Sequence, residues 1–85
     1  MKKIQRQRYA IVMPETNEIL CGLARNYEFK KIDNLGDTAL KTYRTEKQAI
    51  AGFIRSWFHA EEWLKSGRAK VVKVLETIEF LGEIK

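Results

Sequence analysis

The sequence predicts one α+β domain, in which a small, mostly antiparallel sheet carries one long helix packed on one face. Three patterns support this class: a β-hairpin over residues 8–24, a helix over 46–65, and a strand over 69–80. The predicted order is β-β-β-(β)-α-β, because residues 40–44 read either as a short strand or as an extended lead into the helix. One helix laid across one face of an antiparallel sheet is a common two-layer arrangement for such an order.

The first three strands are predicted from β-forming residues bounded by turn signals. Residues 8–13 are rich in β-formers and stop at Pro14, which cannot continue a hydrogen-bonded ladder. Residues 19–24 form the returning strand of the hairpin. Residues 27–32 alternate well enough to predict a third strand.

The helix is predicted from its two ends and its apolar stripe. Thr45 and Gln48 have the spacing of a capping box, and Gly67 suits the left-handed position that follows a helix. Residues 46–65 contain good helix formers and no proline. Five apolar residues fall within about 100° of arc, the width of a core-facing stripe. They are Ile50, Phe53, Ile54, Trp57 and Leu64.

The last strand is predicted over residues 69–80, where apolar and polar side chains alternate. One predicted face carries Val72, Val74, Ile78 and Phe80. A second helix is the alternative for this segment, but its content of Val and Ile and the preceding Gly67 favour a strand. Residues 82–85 are predicted to form a tail.

Length and charge limit the classes of function. The chain has 85 residues, which is too short for a multidomain enzyme, a complete dinucleotide-binding fold or a (β/α) barrel. Its 45% hydrophobic content, with nine aromatic residues, is enough for a core and excludes wholesale disorder. The net charge is +5, of which residues 1–8 supply +4. Residues 1–7 are therefore predicted to be the basic lead-in of a single domain spanning 1–85, in which residues 9–85 are nearly neutral.

Cysteine content and the N-terminal pattern predict a cytoplasmic protein. The single Cys21 cannot form an intrachain disulfide and lies in an apolar run, so we expect it to pack as a small hydrophobe. The apolar stretch after the basic start is too short for a secretory signal. No stretch approaches the roughly 20 apolar residues of a membrane span.

The sequence predicts no catalytic residues, no metal ligands and no cofactor. His59 and Cys21 are far apart in sequence, and no cluster has the spacing of a metal site. Ser56 lies one helical turn from His59, but no acid is placed to orient that pair. The glycines are scattered singly, so no phosphate-binding loop is present.

A candidate protein interface is predicted on the outer face of the helix. Small residues follow one another along this face, and Trp63 lies beside them on a helical wheel. Aromatic side chains are enriched in the cores of interfaces. The alternative is that Trp63 is covered by its own chain. The interface residues predicted are Gly52, Ser56, His59, Ala60 and Trp63, and the partner is another protein or a second copy in a homodimer.

A nucleic-acid site is the alternative prediction. Basic side chains of the N-terminal segment supply contacts for phosphates, and aromatics interleaved with lysines on the third strand supply stacking platforms for unpaired bases. The residues are Lys2, Lys3, Arg6, Arg8, Tyr27, Phe29, Lys30 and Lys31. The competing interpretation is that Tyr27 and Phe29 face the helix and form core.

The layout of the chain resembles that of small α+β proteins encoded by phages and prophages. The resemblance rests on the compact opening hairpin, on residues 40–45 running directly into 48–50, and on the closing strand at 70–74. It implies that the protein acts by binding a host or phage macromolecule. Together these observations predict a non-enzymatic interaction protein, with single-stranded nucleic-acid binding as the alternative.

Overall fold

A five-stranded antiparallel sheet with two helices on one face makes up the computed structural model, which describes residues 2–23 and 26–82. The predicted α+β class is confirmed. Ala24, Arg25 and the end of the predicted tail, residues 83–85, lie outside the described residues. The strands are β1 (Lys3–Met13), β2 (Glu18–Leu23), β3 (Asn26–Lys31), β4 (Thr42–Tyr43) and β5 (Lys70–Glu79), and the helices are α1 (Glu46–Ser56) and α2 (Ala60–Ser66).

The opening hairpin forms as predicted and then widens. Val12 of β1 lies opposite Ile19 of β2 close to the turn. Beyond this point residues 39–41 hydrogen-bond to the backbone of β2, while Tyr43 of β4 pairs with Tyr9 of β1. The chain before the helices therefore fills the gap between the two hairpin strands, and β3 lies outside β2.

Strand β1 is longer than predicted, and it pairs with β5 along nearly its whole length. It begins at Lys3 rather than at Arg8, so the predicted lead-in is mostly strand. The pairing runs without interruption from Lys3 opposite Glu79 to Val12 opposite Lys70. Residues 3–8 pair with no other described strand, so we define 3–8 with 74–79 as the arm.

The arm makes the molecule elongated. The principal extents are 49 × 25 × 23 Å, and the radius of gyration is 14.3 Å. A compact chain of this length would have a radius of gyration of about 12 Å. Because nearly every side chain of residues 2–7 and 77–82 is exposed, the arm is a two-stranded ribbon that projects from the packed part of the fold.

The segment predicted as one long helix is helical but divided, since residues 57–59 separate two helices. The predicted cap at Thr45 is present, where Oγ1 accepts a hydrogen bond from the backbone N–H of Gln48 over 3.1 Å. Helix α1 ends at Ser56 and is followed by Trp57, whose backbone is extended, and α2 starts after His59, which has a left-handed φ of 64°. Gly67 ends α2 in the left-handed conformation, as predicted.

The main core lies between the sheet and the helices. Phe53 is fully buried at its centre, whereas Ile50 and Ile54 of the predicted stripe are 37% and 42% exposed. The face of the sheet that packs on the helices is called the helix face. Its buried residues are Ile11, Met13, Leu20, Tyr43, Ala49, Phe53, Ala60 and Ala69.

A second, smaller cluster occupies the opposite side of the sheet, called the back face. Ala10, Ile19 and Cys21 are buried there, and Leu35 from the loop after β3 packs against them. The sheet is therefore covered on both sides around β1 and β2. Cys21 is fully buried there as a small apolar side chain, as predicted from the sequence.

Candidate interaction surface on the β1–β5 arm

The residues predicted as an interface on the outer helix face do not share one exposed surface. Ala60 is only 2% exposed and belongs to the main core. Gly52 faces the ring of Tyr43, where a Cβ atom would come within 2.6 Å of Cε1. The close approach that this glycine permits is therefore made with β4 of the same chain.

Trp63 packs within its own chain, which is the alternative that the sequence left open. Its ring lies 5.9 Å from that of Trp57 and 6.2 Å from that of Phe29. The guanidinium of Arg68 stacks over the indole at 4.1 Å, in cation–π geometry. The ring is half-buried among these groups and does not project toward solvent.

Ser56 and His59 are the two exposed members of that predicted set. The Ser56 hydroxyl donates a hydrogen bond back to the Gly52 carbonyl over 2.7 Å. His59 Nδ1 lies 3.5 Å from a Glu62 carboxylate oxygen, and the imidazole meets the exposed ring of Phe58. These contacts are local to the turn between the helices, so the two residues do not join Trp63 in one surface.

The aromatic part of the predicted nucleic-acid site lies against the helices. Phe29 packs edge-on to Trp57 at 4.9 Å, and Tyr27 also packs against the main core. Lys30 reaches Thr38 and Glu28, and the Lys31 ammonium donates to the Thr16 carbonyl over 2.6 Å. These four residues lie on β3, at the other edge of the sheet from β5, so they do not join the basic N-terminal residues.

The basic N-terminal residues gather on the arm. Arg6 pairs with Glu76 across the two strands at 2.7 Å, and Lys3 pairs with Glu79 at 3.4 Å. Arg8 reaches the other way and donates to the side chain and carbonyl of Thr42. Lys2, which is exposed, pairs through its carbonyl with the N–H of Phe80. The two glutamates partly neutralise the positive charge of this segment.

Each strand of the arm has one backbone edge without a partner strand in the described chain. β5 pairs only with β1 along Lys70–Glu79, and residues 3–8 of β1 pair only with β5. An unpaired edge presents a row of N–H and C=O groups that can accept a further strand. The edge of β5 is the longer one, since it is unpaired over ten residues.

The arm also exposes large apolar side chains. Alternation along the strands places Leu75 on the helix face and Ile4, Ile78 and Phe80 on the back face. Leu75 is 61% exposed, and Leu81 just beyond the strand is 84% exposed. Ile4 and Ile78 lie directly opposite each other on the two strands, and exposed apolar side chains grouped in this way are typical of protein interaction sites.

A shallow apolar groove begins where β5 leaves the body of the protein. It lies between the two helices and the first residues of β5, with a volume of about 520 Å³. Ile50, Ile54 and Leu64 form its apolar wall, and Ala69 and Val71 of the β5 end line it next to them. The two isoleucines that the sequence assigned to the core therefore form a surface depression on the helix face.

Burial perturbs two ionisable groups. It raises the pKa of the Cys21 thiol, an effect that the nearby Lys30 ammonium partly opposes. Burial also raises the pKa of the Tyr43 phenol. Both groups are held neutral in packed surroundings, so the thiol lacks the thiolate character of a nucleophile.

Neither a metal-binding cluster nor a membrane-spanning helix is found in the part of the chain that the structure describes. Residues 2–23 and 26–82 contain no group of three or more His, Cys, Asp or Glu side chains arranged to hold a metal ion. Neither α1 nor α2 is long and apolar enough to cross a membrane.

The arm was not predicted from the sequence, because its two strands, residues 3–8 and 74–79, are far apart in the chain. Residues 3–7 show no apolar alternation, and only the pairing with β5 makes them a strand. The alternation of residues 69–80 was visible in the sequence, but the strand that pairs with them was not.

The chain matches no protein-family model, no curated protein sequence and no solved structure.

Proposed function

We propose that this protein is a non-enzymatic interaction protein that binds another protein chain through the β1–β5 arm. The observation that carries the proposal is the arm itself: a ribbon that belongs to the ten-residue unpaired edge of β5 and that exposes apolar side chains on both of its faces. Addition of a strand to such an edge is a recurrent mode of protein recognition, in which backbone hydrogen bonds supply affinity and alternate side chains supply specificity.

The side chains of the arm fit this mode of binding. Leu75 and Ile78 are exposed on opposite faces, so a bound chain would meet an apolar residue on either side of the ribbon. The ion pairs of Arg6 and Lys3 link β1 to β5 and help to hold the ribbon in place before a partner arrives. An ordered binding element loses less conformational entropy on association than a flexible one.

Photo-crosslinking in the cells that make the protein tests the arm as the contact surface. We would replace Leu75 with p-benzoylphenylalanine and, as a matched control, replace Lys47 on the exposed side of α1. The proposal expects protein adducts on irradiation at position 75 and few or none at position 47. Equal labelling at the two positions, or no protein adduct at position 75, would overturn it.

A single-stranded nucleic acid is the second candidate partner, and one observation favours it. Lys3, Arg6 and Arg8 lie on the arm and Lys2 directly precedes it, so four basic side chains are concentrated at one end of the molecule, where phosphates could be bound. The ion pairs with Glu76 and Glu79 reduce this charge, and Phe29 packs against Trp57 rather than presenting an open platform for bases. Protein binding is therefore the better supported function.

A further inference from the structure

We propose that the partner of the arm is a second copy of the same chain, bound through antiparallel pairing of β5 with the partner's β5. A two-fold axis would pass through Glu76 of both copies. The sheet would then run continuously across ten strands, with the same face of each copy on the same side. This inference rests on the proposed function and names the partner of that site.

The backbone of β5 has the hydrogen-bonding pattern that this pairing needs. The N–H of Phe80 donates to the carbonyl of Lys2, so even-numbered residues of β5 direct their backbone groups toward β1. Odd-numbered residues direct theirs outward because the register has no bulge. With Glu76 on the axis, Leu75 lies opposite the partner's Thr77, and both are odd-numbered.

The charges along β5 favour self-pairing in the antiparallel sense. Lys70 and Lys73 lie in the first half of the strand, and Glu76 and Glu79 lie in the second half. An antiparallel copy brings the basic half of one strand beside the acidic half of the other. In this register Lys73 lies directly opposite the partner's Glu79, and the symmetry produces that pair twice.

The apolar side chains match in the same register. Val74 lies opposite the partner's Ile78, and Val72 lies opposite the partner's Phe80, all on the back face. These are positions without direct hydrogen bonds, where opposed side chains come closest. Pairing would thus cover Ile78 and Phe80, which the single chain leaves exposed.

The pairing would also place an apolar side chain of one copy at the apolar groove of the other. Continuation of β5 by two residues on pairing would give Leu81 the odd-numbered phase of the helix face and place it opposite the partner's Val71. Val71 lines the groove together with Ile50, Ile54 and Leu64. The side chain of Leu81 is the most exposed of the large apolar residues on this ribbon, and it would be covered at the mouth of the partner's groove.

One contact between like charges opposes this register, and an ion pair within each chain reduces its effect. The two Glu76 carboxylates would approach each other at the axis, which is unfavourable for like charges. Each carboxylate, however, already binds the guanidinium of Arg6 in its own chain at 2.7 Å. Across the four strands the row would read Arg6, Glu76, the partner's Glu76 and the partner's Arg6, so each carboxylate at the axis keeps a compensating guanidinium on its other side.

The edge of β1 does not offer the same interaction. Along residues 3–8 it carries Lys3, Arg6 and Arg8 and no acidic residue. Pairing of two such edges would bring like charges together, and basic residues are a common protection of edge strands against association. The charges therefore favour self-pairing through the edge of β5 over self-pairing through the edge of β1.

Charge exchange tests the register. Lys73→Glu and Glu79→Lys each convert both intermolecular pairs to repulsive ones, so each variant should dimerise about tenfold or more weakly than the original chain. An equal mixture of the two variants restores two opposite-charge pairs and should dimerise like the original. Lys47→Glu makes the same change of charge away from the arm and should have no effect. Analytical ultracentrifugation is the measurement.

Three outcomes of ultracentrifugation would overturn the proposal. One is an original chain that sediments only at its 10.0 kDa monomer mass at high micromolar concentration. Another is dimerisation that neither variant weakens, and the third is a mixture that stays as weak as its components. A monomeric chain that still gives heterologous adducts at position 75 would overturn self-pairing while leaving the proposed function in place.

Hydrogen exchange of the unmodified chain gives a second test that needs no variant. The outward amides of Lys73, Leu75 and Thr77 should become more protected as the protein concentration rises through the dimerisation range. The amides of Val74 and Glu76, which face β1, should be protected at all concentrations. Outward amides whose protection does not depend on concentration would also overturn the pairing.

Discussion

The ring of Tyr43 lies against the backbone of Gly52, so close that a Cβ atom on this residue would sit 2.6 Å from Cε1. Tyr43 belongs to β4 and is almost fully buried, and Lys41 lies over its ring at 4.8 Å. Helix α1 can rest this close to the sheet because position 52 has no side chain. The contact fixes the helix to the strand that fills the gap in the opening hairpin.

We expect Gly52→Ala to lower the free energy of unfolding by about 1–3 kcal/mol, because overpacking displaces a buried ring. In an open helical position the same change would raise stability by about 0.5–1 kcal/mol. Ala51→Gly, at the exposed neighbouring position, measures that helix-propensity contribution separately. Urea denaturation checks both variants, and a stabilised Gly52→Ala variant would show that the ring moves aside without cost.

Phe53 and Phe58 provide a matched pair of aromatic substitutions. Phe53 is fully buried under Phe29 and Trp57, so Phe53→Ala should cost about 3–5 kcal/mol, comparable to the whole stability of a small domain. Phe58 is 83% exposed, and Phe58→Ala should change stability by no more than about 0.5 kcal/mol. Thermal melts monitored by circular dichroism compare the two. Similar losses would mean that the core is assigned wrongly.

His59→Gly should stabilise the protein by roughly 0.5–1 kcal/mol. His59 holds a left-handed φ of 64° at the turn between the helices, a conformation that is unfavourable for residues with a Cβ atom. Gly67→Ala is the converse control, because Gly67 has a φ of 81° with no close neighbour, and it should destabilise by about 1 kcal/mol. Chemical denaturation should show opposite signs. The same sign for both would contradict the strain at His59.

The free energy of unfolding should fall as the solution becomes alkaline. Burial raises the pKa values of Cys21 and Tyr43 in the folded state, so both contribute stability below their unfolded pKa values and lose it as pH rises through the folded ones. The decline should begin above about pH 8.5 and steepen above about pH 10. Urea titrations at several pH values measure it.

Two substitutions separate the contributions to this pH dependence. Cys21→Ala should flatten the decline between about pH 8.5 and 10, and Tyr43→Phe should flatten the part above about pH 10. If neither substitution changes the slope, the alkaline loss of stability comes from other groups.

Local patterns predicted most of the strands but not the break in the helix. Residues 57–59 contain neither proline nor glycine, so nothing in the sequence interrupts the helical pattern there. A continuous helix would separate Trp57 and Trp63 by about 120° around its axis. The break instead lets both rings contact Phe29, and this gain in packing depends on a strand that is distant in sequence.

The same break explains why the residues predicted as a helix interface do not share one exposed face. A helical wheel keeps its phase only while the helix continues, so the angles assigned to Ala60 and Trp63 do not hold beyond Trp57. The arm could not be predicted for a different reason. Residues 3–7, which are polar except for Ile4, become a strand only through pairing with β5, which no local window contains.

Nucleic-acid binding by the arm makes a distinct prediction about salt. Contact with about four phosphates of a single strand should give a slope near −3 for the logarithm of affinity against the logarithm of salt concentration. Lys3→Gln with Arg6→Gln should reduce this slope by more than one unit, whereas Lys47→Gln on α1 should leave it unchanged. Substitution is preferable to deletion of residues 2–6, because a deletion would also remove the strand that pairs with β5. Fluorescence anisotropy with oligo(dT) measures the affinities. An absence of binding at low salt would exclude the nucleic-acid candidate and leave the apolar and backbone surfaces of the arm to a protein partner.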